Sequence, residues 1–250
     1  ERVAEYTTGL NPIGLTLHAA EERLYAGDLV LDLATGVTRT LQAPTIYGDA
    51  EPPVRVTLDT RRGRAYAIAF NGVAGTNGGN VVTRLADDGS ADPGAPAPGG
   101  LGVLQLLYDP EADRFFAVTA HLTEYALHVS DAETLHEVAA LPLDRRPSAA
   151  ALNPTTRHLW LALPAPDDAA DTLGALGAGD TRLVALDTRT LGLAAELTIP
   201  GRVRSLTVDR WANLLYAAVD GTGDISIVRD VAMPAPPAPA AVRTPPPAAT

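Results

Sequence analysis

Acidic side chains gather where the chain carries extra length. Asp167, Asp168, Asp171 and Asp180 lie in one insertion running from Pro164 to Thr181, and Asp220 and Asp224 bracket a short DGTGD segment. Grouped carboxylates are the oxygen donors that a hard cation such as Ca²⁺ takes. Neither segment has the alternating D-x-D-x-D-G order that wraps a chain around calcium. Asp167, Asp168 and Asp171 are therefore only weak calcium candidates by composition, and a solvated acidic loop is the preferred explanation. DGTGD also reads as a hairpin turn, and no cofactor is expected.

Histidine supplies the other chemistry. His18, His128, His136 and His158 fall in strands or turns, while His121 lies where loops gather; beside a carboxylate it can form an acid–base pair. No HxH, HExxH or compact Asp-His-Ser grouping is written in the chain. Asn71 and Asn80 bound a glycine-rich segment, NGVAGTNGGN, whose polar groups suit a ligand-facing loop. Arg55, Gln105 and Ser205 share one level of a repeated strand, with Gly14 and Ala149 completing the set, so a ring architecture places them around one axis. Arg55 there can bind an anion, although an acidic neighbour is the more ordinary partner for such an arginine.

Those positions depend on a repeat. LTLHAAEERLYAG, VTLDTRRGRAYAI, LLYDPEADRFFAV, AALNPTTRHLWLA and LTVDRWANLLYAA each join an apolar strand, a turn and a second strand carrying an aromatic. Their turn residues, His18, Asp59, Asp109, Asn153 and Asp209, are 41, 50, 44 and 56 residues apart. A strand-built period of about 40–50 residues is the mark of propeller blades. Before each turn, bulky residues alternate with mostly small ones, including Thr16, Thr57, Ala151 and Thr207, as in a strand whose two faces have unequal room. Tyr25, Tyr66, Phe116, Trp160 and Tyr216 recur in the second strand, where packing between blades accounts for them. Asp32, Asp131 and Asp187 close the third strand as turn formers.

The expected fold is all-β: a five-bladed β-propeller over residues 1–230. The last copy, ending at DISIVRD, supplies no fourth strand, while ERVAEYTTGLNP has the form of an orphan fourth strand followed by a link. Residues 3–7 are thus expected to pair with residues 225–228 and close the ring, hiding sheet edges that otherwise invite aggregation. Residues 231–250 hold seven prolines in twenty, a composition suited to an extended tail or linker able to engage a partner.

Composition narrows the partners. Thirty acidic residues against nineteen basic ones give a net charge of −11, which opposes binding to a nucleic-acid backbone. All nineteen basic residues are arginine, as a G+C-rich genome would produce. Without cysteine there is neither a disulfide nor a thiolate site. No apolar run reaches the roughly 18 residues of a spanning helix. A first residue of Glu1 rather than Met is compatible with a processed chain or a portion of a longer one.

The stretch RPSAAALNPTTRHLWLALP, resumed as TRLVALDTRTLGLAAELTIPGR, resembles the YVTN family of propeller repeats, and more distantly the NHL and WD40 propellers. It has the order of proline-led inner strand, turn, "LYVA"-like strand, "VxVID" strand and "TIPVG" ending. The resemblance implies an exported or cell-surface setting. The leading expectation is a non-enzymatic scaffold or interaction domain with a protein partner. The alternatives are a lactonase-like propeller hydrolase and a carbohydrate-binding module, both acting through the loop-rich face.

Overall fold

A polar turn residue that caps its own hairpin sets the form of four of the five blades. Asp59 accepts hydrogen bonds from the Arg61 and Arg62 amides, Asp109 from Glu111 and Ala112, and Asp209 from Trp211 and Ala212, all at 2.8–3.2 Å. Asn153 does the same for Thr155. Four residues beyond each turn residue the backbone becomes left-handed, at Glu22, Gly63, Asp113, Arg157 and Asn213, with φ between 51° and 64°. The chain can then reverse directly into the next strand. His18 departs from the other copies: its ring is buried and makes no capping bond, and a single turn of 3₁₀ helix, Ala19–Glu21, follows it.

The computed structural model describes residues 15–27, 29–41, 55–71, 79–86, 90, 92, 97–99, 102–165, 179–220 and 223–231. Five antiparallel sheets form a five-bladed β-propeller. Blade 1 holds β1 (Leu15–His18), β2 (Arg23–Ala26), β3 (Leu29–Asp32) and β4 (Thr38–Thr40); blade 2 holds β5 (Arg55–Asp59), β6 (Arg64–Asn71) and β7 (Gly79–Leu85). Blade 3 comprises β8 (Val103–Asp109), β9 (Arg114–His121), β10 (Glu124–Asp131) and β11 (Glu137–Pro142). In blade 4 the strands are β12 (Ala149–Asn153), β13 (His158–Pro164), β14 (Thr181–Asp187) and β15 (Leu193–Ile199). Blade 5 has β16 (Val203–Asp209), β17 (Leu214–Val219) and β18 (Ile225–Arg229). Among the described residues no helix is long and apolar enough to cross a membrane.

The repeated positions build the junctions. Tyr25 of blade 1 packs with Val56 and Leu58 of blade 2; Tyr66 of blade 2 packs with Leu106 and Tyr108 of blade 3. Phe116 of blade 3 meets Ala150 of blade 4, and Trp160 of blade 4 meets Leu206 of blade 5. At these four junctions the inner strand faces the aromatic of the preceding blade. Tyr216 should meet Leu15 and Leu17 by the same rule. Among the described residues, no apolar cluster spans that fifth junction, and Leu15 and Leu17 are 69% and 56% exposed.

The inner strands are also tied to one another by side chains. The Thr16 hydroxyl donates to the Val56 carbonyl at 2.7 Å, the Thr57 hydroxyl to Leu106 at 2.8 Å and the Ser148 hydroxyl to Val203 at 2.6 Å. Gln105 bonds both backbone groups of Ala150, at 2.8 and 2.9 Å. So the small residues that alternate along the inner strand do more than fit a narrow space. Two of them, Thr16 and Thr57, satisfy the open edge of the next strand.

Tight chain entry explains one glycine. Gly102 lies at φ 75° just before β8, and a Cβ there would stand 2.5 Å from the Ala120 carbonyl oxygen.

The expected strand at residues 3–7 and the tail beyond residue 231 lie outside the described residues. Deleting residues 1–9 tests that closure by thermal melting. Loss of a fourth strand from blade 5 lowers Tm by roughly 5–10 °C, whereas an unchanged Tm removes residues 3–7 from the sheet.

Candidate functional site

The start of each inner strand faces the end of the ring where the interrupted β-hairpins and the links between blades lie. There the inner strands of all five blades surround an axial cavity of about 390 Å³. Arg55, Gln105 and Ser205 line it, together with Ala149 and Arg204, so the residues aligned by the repeat do share one space. Ile68, Leu106 and Leu206 also border it, but their side chains are buried in the blade junctions, so the surface facing the cavity is mainly polar. An extra residue in β8 and β16 shifts their register between Val103 and Gln105 and between Val203 and Ser205. Such bulges re-aim side chains without ending the strand.

Arg55 does not have the expected acidic partner. Its Nη1 donates to the Leu104 carbonyl at 3.3 Å, and no described carboxylate lies within ion-pair distance. Arg204, by contrast, donates from Nε to Asp220 at 3.1 Å.

The other described loop-side candidates each have contacts of their own. Asp220 is engaged with Arg204, and the Asp180 carboxylate accepts from the Gly201 amide at 3.2 Å. His121 ends β9 opposite Glu124 across a two-residue turn, and Asp224 closes onto Val219 through its backbone carbonyl. Asn71 and Asn80 occupy the ends of β6 and β7, opposite Gly79 and Phe70. Asp167, Asp168 and Asp171 lie outside the described residues. Among the described residues, no three His, Asp or Glu side chains come together as a metal site would require.

The strongest polar constellations lie between blades. Asp230, immediately after β18, is buried against blade 4 and accepts from His158 Nδ1 at 2.6 Å, Thr156 Oγ1 at 2.6 Å and Asn153 Nδ2 at 2.8 Å. His158 also meets Trp160 edge-on, with ring centroids 6.4 Å apart. This histidine–carboxylate pair has the contacts of a catalytic dyad, but both side chains are about 2% exposed. Its work is to fasten blade 5 to blade 4. A second pair, His128 with Glu137 at 2.6 Å, spans the outer strands of blade 3.

Blades 2 and 3 are fastened differently. Arg62 grips Asp113 with two parallel bonds of 2.8 and 2.6 Å and also reaches Asp59, while the Tyr108 hydroxyl donates to Asp113 at 3.0 Å. The Arg62 guanidinium lowers the Asp113 pKa to about 2 against the opposing effect of burial, and Tyr108 adds to the lowering. Burial and the neighbouring Asp113 carboxylate push the Tyr108 hydroxyl well above its ordinary range. The sequence offered little signal for either clasp. The slot filled by Asp230 holds Leu33, Ala132 and Thr188 in other blades, so no repeated letter marks it.

Neither a protein-family model nor a curated protein sequence matches the chain. Solved propellers do. The chain is similar to Kuenenia stuttgartiensis hydrazine synthase, with TM-score 0.64, 14% identity, and coverage of 89% of this chain and 72% of that one. A structure from a nidogen/laminin complex gives TM-score 0.58 at 14% identity, covering 87% of this chain and 75% of the other. The Cps50 (Swd1) β-propeller domain of Myceliophteria thermophila gives 0.56 at 14%, covering 84% and 63%. At such identities the likeness shows the propeller fold.

Two outcomes test the clasps. Asp230→Ala strands three buried donors and costs about 3–5 kcal/mol in urea unfolding. Because the Asp113 pKa is lower in the folded than in the unfolded chain, its contribution is complete above about pH 4 and disappears as pH falls toward 2. The stability difference between wild type and Asp113→Asn therefore shrinks between pH 5 and pH 2.5, as read from denaturation midpoints.

Proposed function

We propose that this chain is a non-enzymatic propeller interaction domain that works as a scaffold in a larger extracytoplasmic or cell-surface assembly. The distribution of exposed apolar side chains carries this reading. Of eleven large hydrophobics exposed among the described residues, eight belong to blades 1 and 5: Leu15, Leu17, Leu33, Val37, Trp211, Ile225, Ile227 and Val231. Among the described residues, these two blades flank the junction without an apolar cluster. Apolar exposure concentrated on two adjacent blades supports a surface for a partner.

The partner's chemistry follows from the surface. β18 is the last described strand of its sheet, and Ile225 and Ile227 alternate along it at 63% and 61% exposure. A protein partner with an apolar segment can pack over these side chains and over Leu15 and Leu17, leaving the β18 edge itself to residues 3–7. The resemblance to YVTN repeats supports the surface setting, and the fold's occurrence in a nidogen/laminin complex supports a role in protein assembly.

One observation favours the carbohydrate alternative. Trp211 is 84% exposed on a turn pinned by Asp209, with the Arg210 guanidinium 4.5 Å from its ring centroid. An indole plate held in this way can stack on a sugar as readily as it can anchor a protein.

Site-specific photocrosslinkers at positions 17 and 227, with position 193 on blade 4 as a control, test the proposal in the producing cell. A discrete adduct with one other protein at 17 and 227, absent at 193, is the expected result. Adducts within this chain alone, between two copies of it, or at all three positions alike overturn the assignment of that apolar surface to a partner. A sugar array read with Trp211→Ala separately decides the carbohydrate reading.

A further inference from the structure

We propose that the axial cavity binds a small organic acid, with Arg55 receiving its carboxylate. The inference goes beyond the interaction role, because it uses the centre of the ring and not its exposed edge.

Accounting for the polar side chains in the cavity leads to Arg55. Gln105 spends both ends of its amide on the Ala150 backbone. Ser148 donates to Val203, and Arg204 is held by Asp220. Arg55 has only the 3.3 Å bond from Nη1 to Leu104, which leaves most of its five N–H donors and its whole charge without a described partner. The Ser205 hydroxyl lines the same cavity, with no hydrogen bond to a described residue.

The Arg55 side chain is exposed on the cavity side and committed to no described carboxylate, so its guanidinium is available to a ligand. Its planar fork matches a carboxylate through two parallel bonds. The surface facing the cavity is mainly polar, with the Ser205 hydroxyl on it as well as Arg55, so it suits a ligand that carries several oxygen groups on one skeleton. A volume of about 390 Å³ admits a small polycarboxylic acid, which fills more of that space than free phosphate does.

Isothermal titration calorimetry of the full chain with citrate, and separately with inorganic phosphate, at pH 7 and matched ionic strength, tests the proposal. Citrate binds saturably to the wild type, Arg55→Gln weakens it at least ten-fold, and phosphate binds more weakly than citrate. A second variant, Ser205→Glu, introduces a repelling carboxylate without touching Arg55 and weakens citrate similarly; it keeps the test decisive should Arg55→Gln fail to fold. Citrate heat that is absent or non-saturable in the wild type overturns the site. So does binding unaltered in the folded variants, and phosphate binding as tightly as citrate overturns the carboxylate assignment.

Discussion

The innermost strand of a blade has one edge with no strand of its own sheet beside it, and five such edges crowd around the axis. Their carbonyl groups need donors where there is little room for ordered water. This chain answers with side chains from the preceding blade: Thr16 to Val56, Thr57 to Leu106, Gln105 to Ala150 and Ser148 to Val203. Every bond runs in the same direction around the ring. The apolar junctions run that way too, with the aromatics of blades 1 to 4 laid against the next blade's inner strand. Radial packing and axial hydrogen bonding thus enforce one arrangement of wedges, and the cavity takes its lining from whatever that arrangement leaves unspent.

The two polar clasps show how differently one architectural problem can be solved. Blades 2 and 3 use an arginine fork on a carboxylate that retains partial access to water. Blades 4 and 5 use a fully buried network around Asp230, in which every acceptor position on one carboxylate oxygen is matched by a neutral donor and the other oxygen meets His158. The buried version is the more demanding, since loss of any member leaves polar atoms without water. A His–Asp pair in a sequence of unknown role invites a catalytic reading. Here the pair's burial and its place across a seam give it a structural task.

Much of the fold could be read from local chemistry. Turn carboxylates followed by strands with an aromatic at a fixed place gave the blades their register, because those features depend on residues a few positions apart. The axial level of Arg55, Gln105 and Ser205 was legible for the same reason. Asp230 was not, since its partners lie 72 to 77 residues away and its counterparts in other blades are apolar or hydroxyl residues. Nor did sequence reveal that Arg55 would lack a carboxylate, or that His18 would tuck its ring inward; both depend on the neighbouring blade. The unequal junctions were equally hidden, because Leu15 and Leu17 look just like their buried equivalents until a neighbour is sought for them.

The left-handed residue after each turn links short-range geometry with long-range attachment in blade 3. Asp113 is held there at φ 53°, a conformation that Asp tolerates better than most side chains, and its carboxylate is also the one that Arg62 grips. In other copies Gly63 meets the backbone demand without offering a side-chain acceptor, and Asn213 meets it with a neutral amide. Divergence of the repeat at this one site is therefore not free. A mutational drift from Asp113 to Gly or Asn would leave the hairpin content and sever a bond to another blade, so the lineage must change Arg62 in step, and the two positions should evolve as a unit although fifty-one residues separate them.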